Sequence, residues 1–245
     1  MNSMVRIVSI VSIISLLSAC GGSDGGGVPA EAPSASLDGT VTDAVITNGT
    51  LRVFKFDDGK QGELIAETVT DGNGDFEITD FASQDRPIVI EVSGGRYTEE
   101  ASGVSVDLLD GQVLRAYMFY EQGSAITLQV TPFTHMASCL ADYKISAGAN
   151  VNNAITEATS VFSGLAGVDI LGTKPLDITD PNNANFELTD NLRYGAVLAA
   201  ISSFTAEVSE TNGVTPHRFN QNSSIYATQV MCQDIAADGV FNGLG

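Results

Sequence analysis

Ala125-Ile126-Thr127-Leu128-Gln129-Val130-Thr131-Pro132-Phe133-Thr134-His135-Met136-Ala137-Ser138-Cys139-Leu140 carries the change of period that sets the fold class. Up to Val130 apolar and polar residues alternate, as on a half-buried strand. From Phe133 onward the apolar residues Phe133, Met136, Ala137, Leu140 and Tyr143 recur at helical spacing. Thr131, or the residues around Pro132, mark the helix start. Strands before this point and helices after it predict an α+β chain.

Working back toward the N-terminus, the pattern is short, β-rich and broken by turns. Strands are expected at Leu37–Thr42, Leu51–Phe56, Glu63–Thr70, Asp75–Thr79, Pro87–Val92, Val104–Leu108, Val113–Tyr120 and Ala125–Val130. Asp57-Asp58-Gly59 closes the second of these. Asp71-Gly72-Asn73-Gly74 is a strong hairpin signal, because Gly and Asn supply the positive φ of tight turns. Ala125–Val130 is expected to pair back on Val113–Tyr120 across Glu121-Gln122-Gly123-Ser124. Seven or eight strands at this spacing predict an antiparallel β-sandwich over residues 37–131. The chain has no Trp, and its cysteines lie outside this segment, which argues against an immunoglobulin domain.

Working forward, residues 132–245 read as a helical domain. Asn152–Leu165 is a helix stopped by Gly167. Thr189 or Asp190 caps Asn191–Ser209, whose apolar stripe is Leu192, Val197, Leu198 and Ile201. Ser223–Asp238 is ended by Gly239. Four helices with alanine-rich faces predict a small bundle.

The first residues read differently. Arg6 precedes an apolar run from Ile7 to Leu17, the build of a secretory signal peptide. That run is well short of the roughly 20 residues that span a bilayer. It ends in Leu17-Ser18-Ala19-Cys20, which looks like a lipobox, so residues 1–19 are expected to be cut away and Cys20 to be acylated. An ordinary cleavage site with an incidental cysteine is the plainer alternative. Gly21-Gly22-Ser23-Asp24-Gly25-Gly26-Gly27, then Pro29 and Pro33, reads as a tether over residues 20–36. Several acyl chains such as palmitate give stable anchoring where one is marginal. Gly21 stands where an aspartate would signal inner-membrane retention, so the expected address is the Gram-negative outer membrane, facing periplasm or exterior.

The chain holds 11 basic and 30 acidic residues among 245, a net charge of −19. Loss of residues 1–19 removes Arg6 and takes the net to −20. A body so acidic repels nucleic acid and anionic headgroups, which excludes nucleic-acid binding. Cys139 and Cys232 are, in an exported setting, a disulfide candidate. Two buried free thiols are the alternative.

No catalytic constellation is evident. Asp71, Asn73 and Asp75 have calcium-loop spacing, but Phe76 stands where glycine is needed and Ala82 where glutamate should close the shell. Asp177, Asp180, Asn182 and Asn185 place hard oxygens in one loop, with turn formation the favoured role. Gly21-Gly22-Ser23-Asp24-Gly25 matches G-x-S-x-G but has no strand before it to form the elbow. His135 and Cys139 are spaced i, i+4, which would put imidazole and thiol on one helical face. No third group marks them as a pair. His217, after Pro216, reads as a surface residue.

Gly39-Thr40-Val41-Thr42-Asp43, Leu51–Phe56, Thr70-Asp71-Gly72-Asn73-Gly74-Asp75-Phe76 and Val92-Ser93-Gly94-Gly95-Arg96-Tyr97 together resemble the carboxypeptidase regulatory-like (transthyretin-like) sandwich of bacterial surface lipoproteins. Val130-Thr131-Pro132-Phe133-Thr134 and Asp234-Ile235-Ala236-Ala237-Asp238-Gly239 are similar to the helical region that follows it in some of them. The resemblance implies an accessory or structural module with no catalytic motif and no cofactor. The expected function is a non-enzymatic, lipid-anchored envelope protein presenting a sandwich surface to a protein or glycan. The alternative is an accessory subunit or weak hydrolase, with a pocket between sandwich and helices lined by His135 and acidic side chains.

Overall fold

The computed structural model describes residues 35–81, 86–121, 123–183, 187–217 and 222–243. The expected signal segment, Cys20, most of the tether, Ala82 and Asn185 lie outside them. The described chain is α+β, with nine strands followed by four helices. The strands are β1 (Ala35–Val41), β2 (Thr50–Asp57), β3 (Lys60–Val69), β4 (Asp75–Phe81), β5 (Arg86–Ser93), β6 (Arg96–Thr98), β7 (Ser105–Asp107), β8 (Val113–Tyr120) and β9 (Ala125–Val130). The helices are α1 (Pro132–Ser146), α2 (Val151–Ala166), α3 (Asp190–Thr211) and α4 (Ser224–Asp238). None of them is long and apolar enough to cross a membrane.

The strands form sheets of order β4-β1-β9 and β3-β2-β5-β8, with β6-β7 as a separate pair. Two expected pairings are corrected. β9 does not fold back on β8; it crosses to the other sheet and runs parallel to β1, from Ser36↔Ala125 to Val41↔Val130. The strands on either side of Asp71–Gly74 also separate, β3 joining β2 and β4 joining β1. The turn itself forms, with the Asp71 N–H on the Asp75 carbonyl at 2.9 Å. A reversal signal sets the local bend and leaves the choice of sheet to the core. By contrast Asp58-Gly59 does close the β2–β3 hairpin, both residues at positive φ as a two-residue turn requires.

Alternation along the strands assigns each face. Leu37, Val41, Phe76, Ile78, Leu128 and Val130 of the three-stranded sheet share one apolar cluster with Leu51, Val53, Ile90, Val92 and Leu114 of the four-stranded sheet. The opposite face of the four-stranded sheet gives Phe56, Val89 and Tyr117 to a second cluster, which draws on all four helices. A sheet covered on both sides explains why Ile88-Val89-Ile90 is uninterrupted and fully buried. Ala32–Gly245 clusters as one compact unit.

Helix boundaries follow their capping residues. Thr131 caps α1 and closes a capping box with Thr134, with Pro132 in the first turn. Asn150, Thr189 and Ser223 cap α2, α3 and α4, and Gly167 and Gly239 end α2 and α4 in the left-handed conformation. Cys139 on α1 and Cys232 on α4 are disulfide-bonded across 93 residues, with Cα atoms 5.6 Å apart. In the chain-entropy account a loop this long removes about 4–5 kcal/mol of unfolded-state freedom.

Candidate functional site

Among the described residues, three places gather polar groups that could do chemistry or bind. The first is the seam between the four-stranded sheet and α1–α2, where the His135 pocket was expected. The crevice beside Tyr117, Thr134, Ser138 and Ile170 is closed. His135 is 2% exposed, and its Nε2 lies 4.0 Å from Cys139 Sγ. The disulfide removes that thiol as a nucleophile. Burial pushes the His135 imidazole down to about 3, with the Arg115 charge adding to the effect, so it is neutral at any ordinary pH.

The second place corrects the reading of His217, which is 1% exposed. Its Nδ1 is 2.7 Å from the Ser102 hydroxyl and its Nε2 is 2.9 Å from Thr205 Oγ1. Glu99, also fully buried, stands 3.6 Å from Nε2. Glu99 accepts from Tyr97 (2.8 Å), Ser202 (2.6 Å), and the Ser224 N–H and hydroxyl (2.7 and 2.9 Å). Ser224 also reaches Asp43 Oδ2 at 2.6 Å. The network thus ties the β1 end, the β6–β7 hairpin, α3 and α4 together. Burial drives the Asp43 carboxyl well above its usual range, and neighbouring Glu100 and Glu99 push it further. Burial likewise raises Glu100 to about 7.

Hydroxyl, imidazole and carboxylate in this order are the parts of an acyl-transfer site. Three neighbouring backbone donors are already spent. The Ala101 N–H is on Ser202, the Gly103 N–H on the Glu99 carbonyl, and the Val104 N–H on the Ser102 hydroxyl itself. An oxyanion forming at Ser102 would find none of these three amides free to stabilise it.

The third place is the outer face of the three-stranded sheet. Alternation puts Asp38, Thr40, Thr42, Asp75, Glu77, Thr127 and Gln129 there, opposite the core residues of the same strands. The segment from Asp169 to Asp177 crosses this face. Its Leu171 carbonyl takes the Gln129 N–H at 2.8 Å, and Lys174 Nζ reaches Asp75 Oδ1 at 2.7 Å. Burial works against ionisation of Asp75, but bonds from Lys174 and Thr40 hold its carboxyl below the usual range. Two clefts of about 600 and 590 Å3 result, and Thr40 and Lys174 line both. The loop beyond them is stiffened by its own acids. Asp177 Oδ1 accepts from the Thr179 N–H and hydroxyl, and Asp180 Oδ1 from the Asn182 N–H and side chain. Asp71 Oδ1 likewise accepts from the Asn73 and Asp75 amides. Of the carboxylates weighed as metal ligands, Asp71, Asp177 and Asp180 accept turn hydrogen bonds, and Asp75 is held by Thr40 and Lys174.

Beside these, α3 and α4 leave an apolar groove of about 310 Å3, with Phe204, Val208, Tyr226, Val230 and Phe241 exposed along it. Neither the polar clefts nor the Glu99 network was found from sequence. The polar alternation Asp38-Thr40-Thr42 and Thr127-Gln129 was the available signal for the clefts. The network depends on contacts more than 100 residues apart, such as Ser224 to Glu99 and Ser202 to Glu99, which no local pattern signals.

No family model matches the chain, and no curated protein does. Among solved structures, a 9R-lipoxygenase from Cyanothece PCC8801 is similar over 74% of this chain at 12% identity, with a TM-score of 0.25. The chain spans 25% of that protein's length, and a likeness this slight carries no argument.

Proposed function

We propose that this chain is a non-enzymatic binding module of the cell envelope, anchored in the outer membrane of a Gram-negative bacterium by acyl chains on Cys20. Its two larger sheets form a sandwich of the carboxypeptidase regulatory-like kind, and the outer face of the smaller sheet meets a protein or glycan partner. The observation that carries the reading is the pair of preformed polar clefts on that face, which lie in the size range of small-ligand sites, roughly 300–1,000 Å3. Support on the non-enzymatic side comes from the buried His135, the bonded Cys139, and the spent amides beside Ser102.

A pull-down of the anchored protein from intact envelopes under mild cross-linking tests the module. Enrichment of a defined partner is expected, and recovery of none would sink the reading. Cys20→Ala tests the anchor separately: it should block processing and move the protein out of the membrane fraction, and unchanged fractionation would refute acylation.

A further inference from the structure

We propose that in its dithiol form this protein binds a thiophilic d10 cation, Zn2+ or Cu+, between His135, Cys139 and Cys232, so that metal and disulfide are alternative states of one site.

Geometry is the first part of the argument. Among the described residues, these three side chains form the group whose ligand atoms, one imidazole nitrogen and two sulfurs, all lie within 4.8 Å of one another. Helical spacing sets one edge of the triangle. His135 and Cys139 are one turn apart on α1, and Nε2 stands 4.0 Å from Cys139 Sγ. The third donor comes from α4, with the Cα atoms of Cys139 and Cys232 5.6 Å apart. In a tetrahedral shell with metal–nitrogen and metal–sulfur bonds of about 2.0 and 2.3 Å, the donor atoms lie about 3.5–3.8 Å from one another. The nitrogen–sulfur edge is already close to that spacing, and reduction frees the two sulfurs to rotate apart to reach it.

The histidine is what a plain disulfide does not need. A bond between two helices requires only its two cysteines, yet an imidazole is buried against this one. Its Nδ1 makes no hydrogen bond, and its Nε2 faces sulfur, a weak acceptor. Such a ring is costly to bury unless a nitrogen finds a stronger partner. A cation bound at Nε2 supplies one. Gln229, its amide fixed on the Val113 carbonyl at 2.6 Å, stands beside the ring, where an outer-shell partner orients a ligating imidazole.

The donor set chooses the cation. Two thiolates and an imidazole suit Zn2+ and Cu+, whereas Ca2+ and Mg2+ take oxygen ligands. Three protein donors complete a trigonal Cu+ shell. Zn2+ adds a water as its fourth ligand, and the half-buried Cys232 gives that water and the ion an approach. Binding converts two thiols to thiolates and releases two protons. Oxidation removes the site: an external disulfide accepts two electrons and the two thiol protons and leaves as two thiols, while the bond between Cys139 and Cys232 forms.

The test uses the full chain carrying Cys20→Ser, in detergent, reduced with a phosphine under argon and titrated with Zn2+ or Cu+ against a chromophoric chelator. The reduced protein should bind one ion per chain and the oxidised protein none, and the arm that binds names the ion. The bound ion should raise the melting temperature of the reduced protein and slow its re-oxidation by glutathione disulfide. His135→Gln should weaken binding by about tenfold or more, with the melting temperature of the oxidised form held. Failure of both ions to bind at micromolar concentration overturns the assignment. So does equal binding by the oxidised protein, or binding that His135→Gln leaves unchanged. An ion that lowers the melting temperature overturns it too, because it then belongs to the unfolded chain.

Discussion

Two of the regions that bury polar groups among the described residues treat them in opposite ways. Beneath β6, α3 and α4, Glu99 collects four hydrogen bonds and holds three segments of chain together. On the outer face of the three-stranded sheet, Gln129 Oε1 and Thr42 Oγ1 collect none. The first region also has unpartnered oxygens, Asp43 Oδ1 and Glu100 Oε2, but there the groups titrate. Burial raises both carboxyls, so a bound proton removes the charge that burial penalises. An amide and an alcohol have no such exit. An orphaned carboxyl can therefore shed its charge, whereas an orphaned amide or alcohol oxygen bears the cost of its burial.

The largest expected effect breaks the network. Glu99→Ala strands the Tyr97 and Ser202 hydroxyls and the Ser224 N–H without an acceptor, and should cost about 3 kcal/mol or more. Denaturant unfolding measures it, and a loss under about 1 kcal/mol would show that Glu99 is not the centre of the region.

Next comes the wall of the clefts. A Cβ on Gly195 of α3 would run into the Leu176 carbonyl oxygen, in the segment that crosses the sheet face. Gly195→Ala should cost about 2 kcal/mol and raise amide exchange around Leu176, whose N–H is bonded to the Asn191 carbonyl at 2.9 Å. Unchanged exchange there would mean that α3 does not hold the wall.

A smaller effect tests the titrating orphans. Glu100 is about 7 in the folded protein, above its ordinary value, so the native state holds a proton that the unfolded chain has released. Stability is then present below the unfolded value, near 4.5, and is lost as pH rises through about 7. With allowance for the solvent reached by its half-buried side chain, the loss is about 1–2 kcal/mol between pH 5 and 8. Glu100→Gln should flatten this part of the profile. A wild-type melting temperature that rises from pH 5 to 8 would contradict the sign.

How much of this was legible differs between the regions for physical reasons. The change of period at Thr131-Pro132, the start of α3 at Thr189 or Asp190, and strands such as Val113–Tyr120 depend on local chemistry, and all appear where the residues place them. Sheet partnership depends on contacts far apart in sequence, so the turn at Asp71–Gly74 was readable and the split of β3 from β4 was not. One non-local signal was present. Ile88-Val89-Ile90 has no alternation, which is the mark of a strand covered on both faces, and α1–α4 supply the second cover. His217 lies at the other extreme: after Pro216 in a loop it resembles a surface residue, and only Ser102, Thr205 and Glu99 make it buried.

The smallest effect sharpens the contrast most. If the network is finished and the cleft floor is not, deleting polarity should be costly in one and nearly free in the other. Gln129→Met keeps the length of the side chain and removes an oxygen that has no partner. Replacing a buried unsatisfied group by an apolar one of similar shape is close to neutral, so the change in unfolding free energy should stay within about 1 kcal/mol. That near-silence is the informative outcome, since it separates an oxygen that bonds nothing from a carboxylate that holds three segments together. A loss as large as that of Glu99→Ala would place Gln129 among the structural residues and erase the distinction between the two regions.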